Sequence, residues 1–178
     1  GVSKWEAEQA LLEISKTTSM EVVILRPPLV YGPGVKGNFL TLLKAVDRGT
    51  VLPLGAIQNQ RSLIYVGNLA DVIVTATTHA DAANQTFFVS DEGTVSTTSL
   101  IENIAASLNK KPRLINLPPG LLKFAGALTG KSGAIQRLIG SLTVDSGKIR
   151  SLLNWRPPFT MTEGLKLTAD WWRSVKNK

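Results

Sequence analysis

The chain has no cysteine, one histidine (His79) and two tyrosines in 178 residues. Without cysteine there is no disulfide, no thiolate nucleophile and no cysteine-bound zinc. A single histidine cannot build a multi-histidine metal site. A reducing compartment fits this composition, and a cytoplasmic location is the expectation. Long hydrophobic runs are also missing: none approaches the roughly 20 residues of a membrane-spanning helix, so no membrane span is expected. The first residues lack a basic stretch followed by an apolar one, so no signal peptide is expected there. Acidic residues are scarce too, 13 against 20 Lys and Arg, for a formal net charge of +7. That charge reads either as the mark of an anionic ligand, such as a nucleotide diphosphate or nucleic acid, or as one half of a protein whose acidic remainder lies elsewhere. Basic runs interleaved with aromatics are absent, so nucleic acid is not an expected partner.

What is present reads as an ordinary globular chain. Residues 3–17 have a helical pattern with Trp5, Leu11, Leu12 and Ile14 apolar. Val22-Val23-Ile24-Leu25 reads as a buried parallel strand that ends at Arg26-Pro27. Residues 27–38, rich in proline and glycine, read as loop. A helix follows over 39–47, then a strand over 62–66 and a helix capped by Asn68 that runs to about His79. Residues 86–89 make a third strand. Ser99-x-x-Glu102 predicts a capping box for a helix over 98–108. A short strand over 113–117, helices over 120–129, 133–140 and 145–153, and a last helix capped by Thr160-x-x-Glu163 complete the pattern. Helix and strand alternate in the first half, which favours parallel βα units. The fold class expected is therefore α/β, with a parallel sheet over 1–92, an inserted loop at about 31–61, and a small, mostly helical lobe over 93–178.

Two motifs are weaker than their spelling. Gly32-Pro33-Gly34-Val35-Lys36-Gly37 matches G-x-G-x-x-G, but five residues separate it from the preceding strand, so it reads as a substrate loop rather than a pyrophosphate cradle. Thr129-Gly130-Lys131-Ser132 imitates the end of a P-loop without the strand before it, and reads as a solvated helix connection. His79 reads as a surface cap at a helix end, and the four tryptophans as core.

Four segments carry a family resemblance. Gly1-Val2-Ser3-Lys4 with Glu6 and Glu8 looks like a catalytic helix. Leu25-Arg26-Pro27-Pro28-Leu29-Val30-Tyr31-Gly32-Pro33-Gly34 looks like the strand and loop that follow it. The third runs from Arg61 through Tyr65-Val66-Gly67-Asn68 to Asp71. The fourth is Asp145-x-x-Lys148 with Leu153-Asn154-Trp155-Arg156-Pro157. In order and spacing they resemble the extended short-chain dehydrogenase/reductases, the NAD-dependent epimerase/dehydratases, and within them the nucleotide-sugar 4-epimerase and 4-ketoreductase branch. The 3β-hydroxysteroid dehydrogenase-like branch shares the Arg-Pro…Tyr-Gly loop and stays open as an alternative, as does a non-catalytic binding protein of the same fold.

The resemblance implies a Rossmann-type sheet, NAD or NADP as cofactor, a nucleotide-sugar substrate of the UDP-N-acetylhexosamine type, and a homodimer. The family's Tyr-x-x-x-Lys motif places Lys4 last and the tyrosine one residue before Gly1. Lys4 would lower the phenol pKa, because a nearby cation favours the phenolate, and would hold the nicotinamide ribose. Pro27 would shape the backbone beside the nicotinamide. Asn38 falls where the family places a diphosphate amide, although an N-cap is an equal reading. Arg61 falls at the diphosphate arginine, where a planar guanidinium grips two phosphate oxygens. Leu29 stands where many relatives place a sugar-binding asparagine. Arg137 is a second candidate phosphate ligand, and Leu142 a candidate wall of the sugar pocket. The chain alone, lacking the glycine-rich cofactor turn and the tyrosine, is expected neither to bind NAD tightly nor to turn over.

Overall fold

A computed structural model describes residues 2–128, 130 and 132–176. Gly1 of the helix motif, and Thr129 and Lys131 of the P-loop-like stretch, lie outside the described residues. The elements run α1 (Val2–Thr17), β1 (Ile24–Arg26), β2 (Leu29–Tyr31), α2 (Gly37–Asp47), β3 (Leu63–Tyr65), α3 (Val66–Thr78), β4 (Thr86–Phe88), α4 (Thr97–Ser107), α5 (Pro119–Leu128), α6 (Ser132–Ile139), α7 (Gly147–Leu152) and α8 (Met161–Lys176). A single 3-10 turn, Ala80–Ala82, follows α3. No helix among the described residues is long and apolar enough to cross a membrane.

Both strand pairs are parallel: β1 with β4, in register Leu25 to Phe87, and β2 with β3, in register Val30 to Ile64. The stretch expected to be loop over 27–38 thus contains a strand. Pro27 and Pro28 cannot donate hydrogen bonds, so they divide one extended segment into two short strands with different partners. The chain after β4 links the pairs, since Val89 N donates to Arg26 O and Asp91 N to Leu63 O. The expected strand over 113–117 reduces to one bridge between Leu52 and Leu114.

Two cores result. One gathers Tyr31, Phe39, Leu43, Leu63, Ile101, Ile104 and Leu165 from β2, α2, β3, α4 and α8, and the other gathers Ile64, Val72, Phe87, Val89, Ile149 and Trp155. Full burial of one such side chain is worth about 1.5–3 kcal/mol, so packing rather than intrinsic helix propensity fixes these short elements. In α8, Gly164 is needed for close approach: a Cβ there would lie 2.8 Å from both Tyr31 Oη and the Tyr65 ring. The Thr160/Glu163 capping box forms, with Thr160 N donating to Glu163 Oε2 at 2.8 Å and Glu163 N to Thr160 Oγ1 at 3.3 Å.

Other caps differ from expectation. α3 begins at Val66, so Asn68 lies inside the helix, and the residue preceding it, Tyr65, offers no side-chain cap. Asn68 instead turns inward: its Nδ2 donates to Asp91 Oδ1 at 2.7 Å and to Phe159 O at 2.9 Å. Asp71, one turn further on in α3, accepts from Trp155 Nε1 at 2.7 Å. Ser96, not Ser99, caps α4 by accepting from Ser99 N. His79 does sit at the end of α3, where it accepts from Asp81 N. Trp155 belongs to the second core, Trp171 and Trp172 pack at the margin of the first, and Trp5 is exposed on α1.

Candidate functional site

Arg61 is the most constrained of the candidate residues. Its backbone is held on two sides: Arg61 N donates to Val95 O and Val95 N to Arg61 O, both at 3.0 Å, while Ser62 N donates to Leu142 O at 2.9 Å and Leu142 N to Gln60 O at 2.9 Å. Its half-buried guanidinium donates through Nη1 to the carbonyl of Arg137. Burial lowers the Arg61 pKa, yet an arginine stays charged at any working pH. Arg61, Arg137 and Leu142 are therefore brought together from three separate stretches.

A residue not singled out in the sequence organises this corner. Asn59 is buried, its Nδ2 donates to Gly140 O at 2.8 Å and Leu138 O at 3.2 Å, and its Oδ1 accepts from Thr97 N at 2.8 Å. It satisfies carbonyls that the end of α6 leaves free and ties them to the start of α4. Beside it opens a cleft of about 490 Å³ whose lining includes Gln58, Asn59, Lys123, Gln136, Gly140 and Ser141. Hydrogen-bonding amides, a hydroxyl and an ammonium thus face one space, with Arg137 and Leu142 adjacent to its lining in sequence. That set can hold an anionic, polyhydroxylated ligand.

A smaller cleft of about 250 Å³ follows β2 and is lined by Tyr31, Gly32, Pro33, Lys36 and Val66 among others. Gly32 has φ +144°, and a Cβ there would fall 2.4 Å from Val66 Cγ1, so only glycine lets this loop turn against α3. Behind it Tyr31 Oη donates to Asp91 Oδ2 at 3.0 Å, and Asp91 also accepts from Tyr65 N and Asn68 Nδ2. Burial raises the Asp91 pKa, and these hydrogen bonds oppose that rise. Burial and the Asp91 charge push the Tyr31 phenol far up, and burial also raises Tyr65. Both tyrosines of the chain are thus structural and unsuited to proton transfer near neutrality.

Lys4 is exposed on the first turns of α1. One turn further on, Glu8 pairs with Arg26, whose Nε lies 3.1 and 3.2 Å from the two carboxylate oxygens. The hydrogen bond from Arg26, aided by its charge, holds the Glu8 carboxyl below its usual range against the opposing effect of desolvation. Arg26 also stands over the Phe88 ring, 5.6 Å from its centre, which is cation–π range. Residues i and i+4 share a helix face, so Lys4 lies on the same face of α1 as Glu8, the residue paired with Arg26 at the end of β1. Asn38 and Leu29 line neither cleft. Asn38 is exposed in the first turn of α2, where Lys36 rather than Asn38 occupies the cap position. Leu29 lies half-buried on β2 against the larger core.

Parallel strand pairs connected through helices, followed by a run of helices, define an α/β class of protein. More narrowly, the chain belongs to the NAD dependent epimerase/dehydratase family, whose profile matches residues 1–89. It is 46% identical over 179 residues to UDP-glucose 4-epimerase of Vibrio cholerae, an alignment that covers 100% of this chain and 55% of that protein. It is 28% identical over 185 residues to N-acetyl-alpha-D-glucosaminyl-diphospho-ditrans,octacis-undecaprenol 4-epimerase of Escherichia coli O157:H7, covering 96% of this chain and 56% of the relative. In fold it is similar to UDP-glucuronic acid 4-epimerase from Bacillus cereus in complex with NAD, with a TM-score of 0.75 and 19% identity over 98% of this chain and 52% of that one. The chain spans about half the length of the curated relatives it matches.

Proposed function

We propose that these residues form the C-terminal part of an NAD(P)-dependent nucleotide-sugar 4-epimerase or 4-ketoreductase of the UDP-N-acetylhexosamine type. The observation that carries this reading is Arg61, fixed on both sides by backbone pairing beside Arg137 and the polar cleft. A guanidinium held in place before ligand arrives loses little freedom on gripping a diphosphate. Lys123 and Arg137 add positive charge nearby. Leu142 and Ser141 present one apolar and one hydroxyl surface to a sugar. Lys4, on the α1 face that Glu8 ties to Arg26, and Pro27, which follows β1, suit the nicotinamide end, where NAD or NADP would supply the hydride acceptor. The ammonium of Lys4 would favour the ionised form of a phenol supplied from outside this chain. The exposed apolar side chains of α1 support homodimerisation through that helix. A nucleotide-sugar substrate and a nicotinamide cofactor support a cytoplasmic location.

The test is Arg61→Ala in the intact protein carrying this chain. Loss of a charge-assisted diphosphate contact is expected to raise KM for UDP-N-acetylglucosamine about 30- to 100-fold while changing kcat less. An unchanged KM, or faster turnover of a hydrophobic ketone than of the UDP-sugar, would overturn the reading. The 178-residue chain by itself is expected to transfer no hydride.

A further inference from the structure

α5 is apolar on two faces. Inward, Leu122 and Gly126 are buried, and Gly126 admits Ile135 of α6 so closely that a Cβ would lie 2.6 Å from its Cδ1. Outward, Leu121, Phe124 and Leu128 are 53%, 64% and 73% exposed. Their spacing, i, i+3 and i+7, puts them in one row. The only polar side chain of the helix is that of Lys123. A helix that is apolar all round is ordinarily enclosed on every side, yet no described residue covers this row.

Along the sequence on either side of α5, charge has one sign. Residues 103–144 contain no aspartate or glutamate but carry Lys110, Lys111, Arg113, Lys123, Lys131 and Arg137. Residues 56–59, which also line the larger cleft, contain no acid either. Lys110 is engaged with Asp47 at 2.8 Å, whereas Lys111, Arg113, Lys123 and Arg137 form no ion pair with a described residue. An uninterrupted apolar row set among unpaired cations matches the chemistry of an anionic bilayer surface, where acyl chains take the apolar side and phosphate headgroups the cations. A lysine on such a helix can lay its methylenes on the apolar surface and keep its ammonium at headgroup level.

We propose that the outer face of α5, with the cations flanking it, docks on an anionic membrane surface. Pro119 and Lys123 of the same helix line the larger cleft, so docking holds that cleft at headgroup level. The proposal stands on α5 and its charge surroundings and does not require the nucleotide-sugar reading.

The test is sedimentation of the intact protein with vesicles of phosphatidylcholine mixed with phosphatidylglycerol, against vesicles of phosphatidylcholine alone. Binding is expected to the mixed vesicles, about tenfold weaker to the neutral ones, and weakened by salt. Leu121→Ser/Phe124→Ser/Leu128→Ser is expected to lose binding by about tenfold or more, with thermal midpoint and turnover of soluble UDP-sugar unchanged. Lys111→Glu, a single exposed change, is expected to weaken binding severalfold. Absence of binding to mixed vesicles would overturn the proposal, as would undiminished binding by the triple variant. So would a triple variant that converts a dimer to a monomer in light scattering while neither form binds vesicles, because a second copy would then cover the face. Since turnover of soluble substrate is read separately, loss of the enzymatic reading leaves the vesicle result intact.

Discussion

α1 and α8 are both sixteen residues long, yet they are held in different ways. α8 buries Gly164, Leu165, Thr168 and Ala169, whereas α1 buries nothing among its described residues. α8 is capped by Thr160 and Glu163, seated on Tyr31 and Tyr65 through Gly164, and tied at its far end by Lys176 to Asp47. α1 is tied by Glu8 to Arg26. Both sequences contain apolar residues at helical spacing. The contrast shows that such spacing tells which side a helix will turn to a partner, and says nothing of whether the partner is present.

The largest expected effect comes from attacking the seat of α8. Gly164→Val forces atoms into the Tyr31 and Tyr65 contact and should cost about 3 kcal/mol in a denaturant titration. An unchanged midpoint would mean that α8 is no better anchored than α1. Next is the tie at Asp47. Burial raises this carboxyl, but hydrogen bonds from Lys110 and Lys176 outweigh burial and hold its pKa at about 2. The folded value lies below the unfolded one, so the stabilisation is present above about pH 4 and fades as pH falls toward about 2. Asp47→Ala should lose on the order of 2 kcal/mol at neutral pH and flatten that acid-side slope. A variant with the parent's slope would remove Asp47 from the account. The smallest effect belongs to α1. Glu8→Gln should quicken amide exchange along α1 while leaving the thermal midpoint where it was. A midpoint that falls as far as for Gly164→Val would erase the distinction between the two helices.

Local pattern carried much of the fold. The helices and three of the strands fall near their expected places, because burial on one face leaves a period in the sequence. β2 was hidden by Pro27 and Pro28, which look like loop although the strand resumes at Leu29. The two serines at the start of α4, Ser96 and Ser99, are chemically equal as caps, and Ser96 holds the cap position while Ser99 supplies the N–H it accepts. Asn59, Asn68 and Asp91 were not legible as organising residues, since their partners lie 23 to 91 residues away along the chain. Arg61 and Arg137 illustrate the same limit at the site. Family resemblance named each of them, but only folding puts the guanidinium of one against the carbonyl of the other, 76 positions apart. Trp5 shows the converse, a large apolar side chain whose period implied cover that the described residues do not supply.

Asp91 accepts from Tyr31, Tyr65 and Asn68 at once, so it constrains descent as well as shape. A lineage that exchanged the carboxylate for an apolar group would strand a phenol, an amide and a backbone N–H in the interior in a single step. Drift at these positions should therefore be concerted, with the aspartate, the tyrosine and the asparagine kept or replaced as a set across homologues.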